Sequence, residues 1–276
     1  MSVFVCFLCL FWFIWLGGSV FSKKKKNCSD RVYLIGYSAG GDGVYKLAPR
    51  LASLFAGCCM MAGHPNGEPV LGLRNLPFSI QCGQHDASYN RNTVCKEYAQ
   101  KLDDLQRAGK EKKKITTMSC CNFFFFASDP GGYQHHSLFP NTGHWMNLQD
   151  AAAIPWMCSF KRDARPSRVV WKQNSDVCHS YFYYLHVSLP VKNSLVIVSH
   201  FSKQEFVIEE CEVKELDIFV DDLMCNLDLP IRVIFKGAVV FDSIVPRSRA
   251  VLQDSLEARG DPSMMFEGKI QLKNLF

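Results

Sequence analysis

Three positions in this sequence have the residue types and spacing for acyl-transfer chemistry. Gly36-Tyr37-Ser38-Ala39-Gly40 sets a serine between two glycines. A serine hydroxyl is a weak nucleophile until a base takes its proton, and it must project from the backbone to reach a carbonyl carbon. A tight strand-to-helix turn gives that projection, and side chains at Gly36 or Gly40 would collide with the neighbouring strand or helix. The backbone N–H of Ala39 would then point at the oxyanion that develops during attack. About one chain in ten of this length carries such a pentapeptide by chance, so the serine needs partners. Asp86, in Cys82-Gly83-Gln84-His85-Asp86, is the candidate acid. His144, in Asn141-Thr142-Gly143-His144-Trp145, is the candidate base. Alone, Asp86 reads as an ordinary loop carboxylate and His144 as a capping or core histidine. Together they fit one scheme: Ser38 attacks, His144 takes its proton and Asp86 holds the imidazole tautomer.

The other chemistry-bearing residues point nowhere so specific. His135-His136 lies within an expected strand, His85 adjoins the acid, and His179 and His186 flank the aromatic stretch Tyr181–Tyr184. No two histidines stand at i and i+4 beside a carboxylate, so neither a metal site nor any other cofactor is expected. The 13 cysteines form no regular framework, and the one C-x-x-C, Cys6 to Cys9, sits in an apolar run. They read as buried free thiols. The net charge of +5, from 31 Lys and Arg against 26 Asp and Glu, does not call for a nucleic-acid partner.

The elements around these residues alternate between strand and helix. Arg31–Ile35 is a strand entering the serine turn, and Asp42–Phe55 has helical spacing in Val44, Leu47, Leu51 and Leu54, with Pro49 interrupting it. Ala56–Ala62 suits a buried parallel strand, and Pro77–Cys82 is another strand. Asn90–Ala108 is a helix with Val94, Tyr98, Leu102 and Leu105 on one face. Tyr133–Phe139 is a strand, and Asn147–Phe160 a helix broken at Pro155. Such alternation predicts a doubly wound parallel sheet with helices on both faces. Residues from about 109 to 129, with a lysine run and Phe123–Phe126, read as an insertion. After about Pro190 five short strands, a helix over Pro246–Arg259 closed by Gly260, and a last strand over Met264–Leu272 make a β-rich appendage. The expected regions are therefore 1–26, 27–189 and 190–276.

The first region is a different kind of segment. Val3–Phe21 is almost wholly apolar, long enough as a helix to span roughly 28 Å of bilayer core, and Lys23–Lys26 follows at once. The positive-inside rule puts those lysines, and the chain beyond them, on the cytoplasmic face. This predicts membrane contact through residues 3–26 and a membrane-associated protein with a cytoplasmic catalytic region. A cleaved leader, or a start that is not native and leaves the protein cytoplasmic, are the alternatives. The sequon Asn27-Cys28-Ser29 argues weakly against the cytoplasmic placement.

Residues from Arg31 to about Val187 resemble α/β-hydrolases of the esterase and prolyl-oligopeptidase-like (predicted peptidase) group. The resemblance rests on Arg31 to Tyr45, on Met60-Met61-Ala62-Gly63-His64-Pro65-Asn66, on Gly143-His144-Trp145-Met146 and on Val169-Val170-Trp171-Lys172-Gln173. It implies a partial α/β-hydrolase sheet with a small β-rich appendage, the chain order Ser38, Asp86, His144, and an acyl-enzyme route for a small-molecule ester or peptide substrate. It departs from the group upstream. Several strands normally precede the nucleophile strand, and a loop among them supplies a second oxyanion N–H, often from a His-Gly-Gly motif that is absent here. The resemblance thus implies a serine hydrolase, with a catalytically impaired hydrolase-like protein as the alternative, because one lost oxyanion donor costs about 10²–10³ in rate.

Overall fold

The computed structural model describes residues 3–7, 29–119 and 131–275. The chain divides into two compact units, the described parts of Met1–Ser119 with Pro130–Asp163, and of Ala164–Phe276. The boundary expected at 189 falls inside the second unit.

The first unit is built on five parallel strands: β1 (Val3–Phe7), β2 (Val32–Tyr37), β3 (Gly57–Met61), β4 (Phe78–Gln81) and β5 (His135–Leu138), side by side in that order. Helix α1 (Ala39–Arg50) connects β2 to β3, α2 (Arg91–Ser119) connects β4 to β5, and α3 (Ala153–Cys158) follows β5. A strand covered on both faces carries no polar alternation, and in Gly57-Cys58-Cys59-Met60-Met61 every residue is buried. The period-2 geometry sends Tyr33, Cys59 and Met61 to the face closed by Ala153 and Met157 of α3. The other face packs Tyr45 of α1 against Phe78 of β4 and Tyr98 of α2, with ring centroids 4.7–6.2 Å apart. The sheet is thus wound on both sides, as the alternation of elements predicts.

Details differ from the sequence reading for local reasons. Pro49 lies in the last turn of α1, where the helix survives it by one residue. The buried stripe of α2 runs through Cys95, Tyr98, Ala99 and Leu102, rotated slightly from the expected face. The same helix continues to Ser119, so the first part of the expected insertion extends α2. Phe123–Phe126 lie outside the described residues.

The expected membrane helix is overturned. Val3–Phe7 is a strand, in register with Val32–Gly36 of β2 from Val3 opposite Val32 to Phe7 opposite Gly36. Among the described residues no helix is long and apolar enough to cross a membrane. The membrane-associated localisation expected from residues 3–26 falls with that helix. Val, Phe and Cys satisfy a buried parallel strand as well as they satisfy lipid, and hydrophobicity alone does not separate the two. Residues 8–28 lie outside the described set. β1 occupies the edge of the sheet beside β2.

The second unit holds two sheets. One runs β13 (Ala238–Ser243), β12 (Ile231–Phe235), β10 (Glu205–Cys211), β9 (Leu195–Ser202) and β6 (Arg168–Lys172). The other runs β14 (Gly268–Lys273), β11 (Glu215–Val220), β8 (Leu185–His186) and β7 (Tyr181–Phe182). All pairings are antiparallel except β10 with β12. Phe182, Tyr184, Phe206, Ile218 and Phe266 are buried here. Helix α4 (Arg249–Arg259) starts at Ser248, whose hydroxyl accepts from Val251 N–H, and stops at Gly260, left-handed at φ 60°.

Candidate active site

Parallel strands collect functional groups at their carboxyl ends. Here the ends of β2, β4 and β5 converge. Ser38 occupies the turn between β2 and α1 with φ 56° and ψ −121°, a conformation that non-glycine residues rarely adopt. Its N–H donates to Met61 O on β3 at 2.8 Å, and its carbonyl accepts from Asp42 N–H at 3.1 Å. The turn is this tight because Gly36 has no side chain: a Cβ there would lie 2.1 Å from the Gly40 carbonyl oxygen. Ala39, exposed, opens α1 directly after the serine, and Gly40 behind it is buried.

His144 stands in the loop after β5. Its Nε2 lies 3.1 Å from Ser38 Oγ and its Nδ1 lies 2.7 Å from Asp86 Oδ2. The imidazole is 40% exposed, open to an incoming molecule, while the Asp86 side chain is only 1% exposed. Asp86 follows β4 in a turn closed by its own N–H donating to Gly83 O at 3.1 Å. The Asp86 and His144 loops are laced together. Gln84 N–H donates to Pro140 O at 2.8 Å, His85 N–H donates to Thr142 O at 2.9 Å, and the His85 ring meets Asn141 Oδ1 at 2.6 Å.

Two residues near this group escaped the sequence reading. Tyr37, the variable residue before the serine, donates its hydroxyl to the His144 carbonyl at 2.8 Å, and its ring lies 5.5 Å from the imidazole. Burial, with the Asp150 and Asp86 carboxylates nearby, pushes the Tyr37 phenol up, so it remains a neutral donor. Arg91, in the first turn of α2, has Nη1 3.8 Å from Asp86 Oδ1. A cation at a helix N-terminus opposes the macrodipole, and that anomaly is the one sequence signal that marks Arg91.

The remaining histidines take other partners. His85 ties the two loops, His135 meets Asp103 at 3.2 Å, and His136 lies 3.2 Å from Gln81 and packs near Trp156. His179 and His186 belong to the second unit. Among the described residues no cluster of three or more His, Cys, Asp and Glu side chains could hold a metal ion. Eight of the described cysteines are free thiols, six of them buried, and burial pushes Cys59 up to about 12.

The parallel sheet, the helices on both its faces and the strained serine turn make the first unit a partial α/β-hydrolase fold. No family profile matches the chain, and no curated protein matches its sequence. Five solved chains match in structure. One is a thermostable esterase, 17% identical, aligned over 49% of this chain and 32% of its own, with a TM-score of 0.31. Another is the S-formylglutathione hydrolase of Staphylococcus aureus in its apo form, 16% identical, aligned over 48% of this chain and 53% of its own, with a TM-score of 0.30. The chain thus spans about a third of the first protein and about half of the second.

Proposed function

We propose that the chain is a serine hydrolase of esterase type. Ser38 is the nucleophile, His144 the general base and acid, and Asp86 the residue that orients the imidazole. The observation that carries this reading is the continuous relay of 3.1 Å from Ser38 Oγ to His144 Nε2 and 2.7 Å from His144 Nδ1 to Asp86, at a strained turn. His144 Nε2 takes the hydroxyl proton as Oγ attacks the carbonyl carbon of an ester or peptide-like acyl bond. The negative charge that builds on the carbonyl oxygen faces the start of α1, where the Ala39 N–H and the positive end of the helix act on it. Collapse of the tetrahedral intermediate expels the leaving group with the proton held by His144 and leaves an acyl-Ser38 ester. Water, deprotonated by the same imidazole, then releases the acid and restores Ser38.

The test is a fluorophosphonate probe together with p-nitrophenyl acetate turnover, each against a Ser38→Ala control. Labelling and turnover that both vanish in the control support the proposal. Labelling without turnover would make the chain the impaired, hydrolase-like alternative. Absence of labelling would remove Ser38 as a nucleophile.

A further inference from the structure

The relay leaves one half of the acid unexplained. Asp86 Oδ2 meets His144, but Oδ1 is buried with no hydrogen-bond partner. Buried carboxylates ordinarily have donors on both oxygens, because charge removed from water must be compensated. Arg91 stands beside Asp86, with Nη1 3.8 Å from Oδ1, too far for a hydrogen bond and close enough for a charge interaction. The Arg91 side chain is 11% exposed, and its Nε also lacks a partner. The link between the two residues is short and fixed. Asn92 N–H donates to the Asp86 carbonyl at 3.0 Å, which closes the turn that carries the chain from the acid into α2.

Tyr89 completes the arrangement. It sits within that turn at φ 57°, and its ring, 78% exposed, has the Arg91 guanidinium 4.8 Å from its centroid. A bulky residue in the left-handed region is strained, and an exposed ring returns little of that strain by burial. The contact over the guanidinium gives the ring a purpose: a cation–π hold on Arg91. A donorless oxygen, a cation at the wrong end of a helix and a strained exposed tyrosine then have a single explanation.

Resting on the hydrolase reading above, we propose that Arg91, held by Tyr89, is a positioning residue for Asp86. Its charge anchors Oδ1, so that the carboxylate cannot rotate and Oδ2 stays aimed at His144 Nδ1 while the imidazole carries the proton from Ser38. Arg91 touches neither substrate nor reacting atoms. Its loss should therefore lower kcat and leave KM unchanged.

The experiment measures kcat and KM for p-nitrophenyl acetate in wild type, Ser38→Ala, Arg91→Met, Arg91→Lys and Tyr89→Ala. Arg91→Met should lose about 10–100-fold in kcat at constant KM, the cost of a misaimed catalytic group. Arg91→Lys, which keeps the charge, should recover most of it. Tyr89→Ala should lose kcat in the same direction by a smaller factor. Wild-type kcat in Arg91→Met, or a loss confined to KM, overturns the inference while leaving Ser38-dependent turnover intact. Wild-type turnover that persists in Ser38→Ala overturns the hydrolase reading itself. Should Arg91→Met fail to fold, Tyr89→Ala decides, since it keeps both charges: an unchanged kcat there is a refutation.

Discussion

Gly36 and Gly43 flank the candidate nucleophile, and the same substitution at each should act in opposite directions. An alanine Cβ at Gly36 would lie 2.1 Å from the Gly40 carbonyl oxygen and 2.9 Å from Val44 Cγ2. A carbon–oxygen contact needs about 3.3 Å, so β2 and the first turn of α1 must part by roughly 1.2 Å. Overpacking of this kind costs about 1–3 kcal/mol, and here the obstacle is backbone that cannot swing aside. The displaced segment carries Ser38, and misplacing a reacting group by about 1 Å costs on the order of 10²-fold in rate. Gly43 lies within α1, and a Cβ there meets nothing within 4 Å. Alanine at Gly43 should therefore stabilise the chain by about 0.5–1 kcal/mol through helix propensity and a less free unfolded state. Urea denaturation gives both stabilities, and the rate of fluorophosphonate labelling reports Ser38. A Gly36→Ala variant as stable as wild type and labelled as fast would refute the steric account of the turn. So would a Gly43→Ala variant that lost stability.

Other perturbations test the relay and the second unit. Asp86→Asn should keep the fold and lower kcat by about 10⁴-fold, since an amide selects the wrong imidazole tautomer; circular dichroism and steady-state kinetics check both halves. Tyr37→Phe removes the hydrogen bond to the His144 carbonyl, worth about 1 kcal/mol, and should slow labelling of Ser38 several-fold; an unchanged rate would show that the ring alone holds the loop. Burial pushes His200 down from its ordinary range, against a weaker upward pull from the Lys203 carbonyl. The unfolded chain then takes up that proton at higher pH than the folded one, so stability falls as pH drops below about 6.5. Thermal melts at stepped pH should show this slope for the second unit, and His200→Gln should flatten it.

Much of the first unit was legible because its elements obey one signal at a time. The serine turn announces itself by glycines that sterics require, and Gly57–Met61 reads as a buried strand since nothing polar interrupts it. Val3–Phe7 reads as part of a membrane helix because an apolar run satisfies two environments equally, and only its pairing with Val32–Gly36 selects the strand. Tyr181–Phe182 and Leu185–His186 are two-residue strands set by tertiary pairing, too short to carry a period. The lysine-rich end of α2 reads as loop because no apolar stripe continues through it, yet the helix runs on to Ser119. The candidates Ser38, Asp86 and His144 could be picked out by type and order. Tyr37 could not, and Arg91 only through its place at a helix N-terminus, because their parts depend on where a hydroxyl and a guanidinium end up, and no spacing encodes that.

The lacing of the Asp86 and His144 loops bears on how error spreads through the site. A Cβ at Gly83 would fall 2.0 Å from the Gly143 carbonyl oxygen, so the two backbones are in direct contact as well as hydrogen-bonded through Gln84 and His85. Asp86 and His144 therefore travel as one stiff piece, and a push on either loop moves both by the same amount. The spacing of their backbones is insulated. Any slack is delivered to the other joint, between the imidazole and Ser38, where the Tyr37 hydroxyl is a direct tether across the gap. Slow drift in this protein should thus register as variation in the Ser38–His144 distance, with the Asp86–His144 pairing held constant throughout.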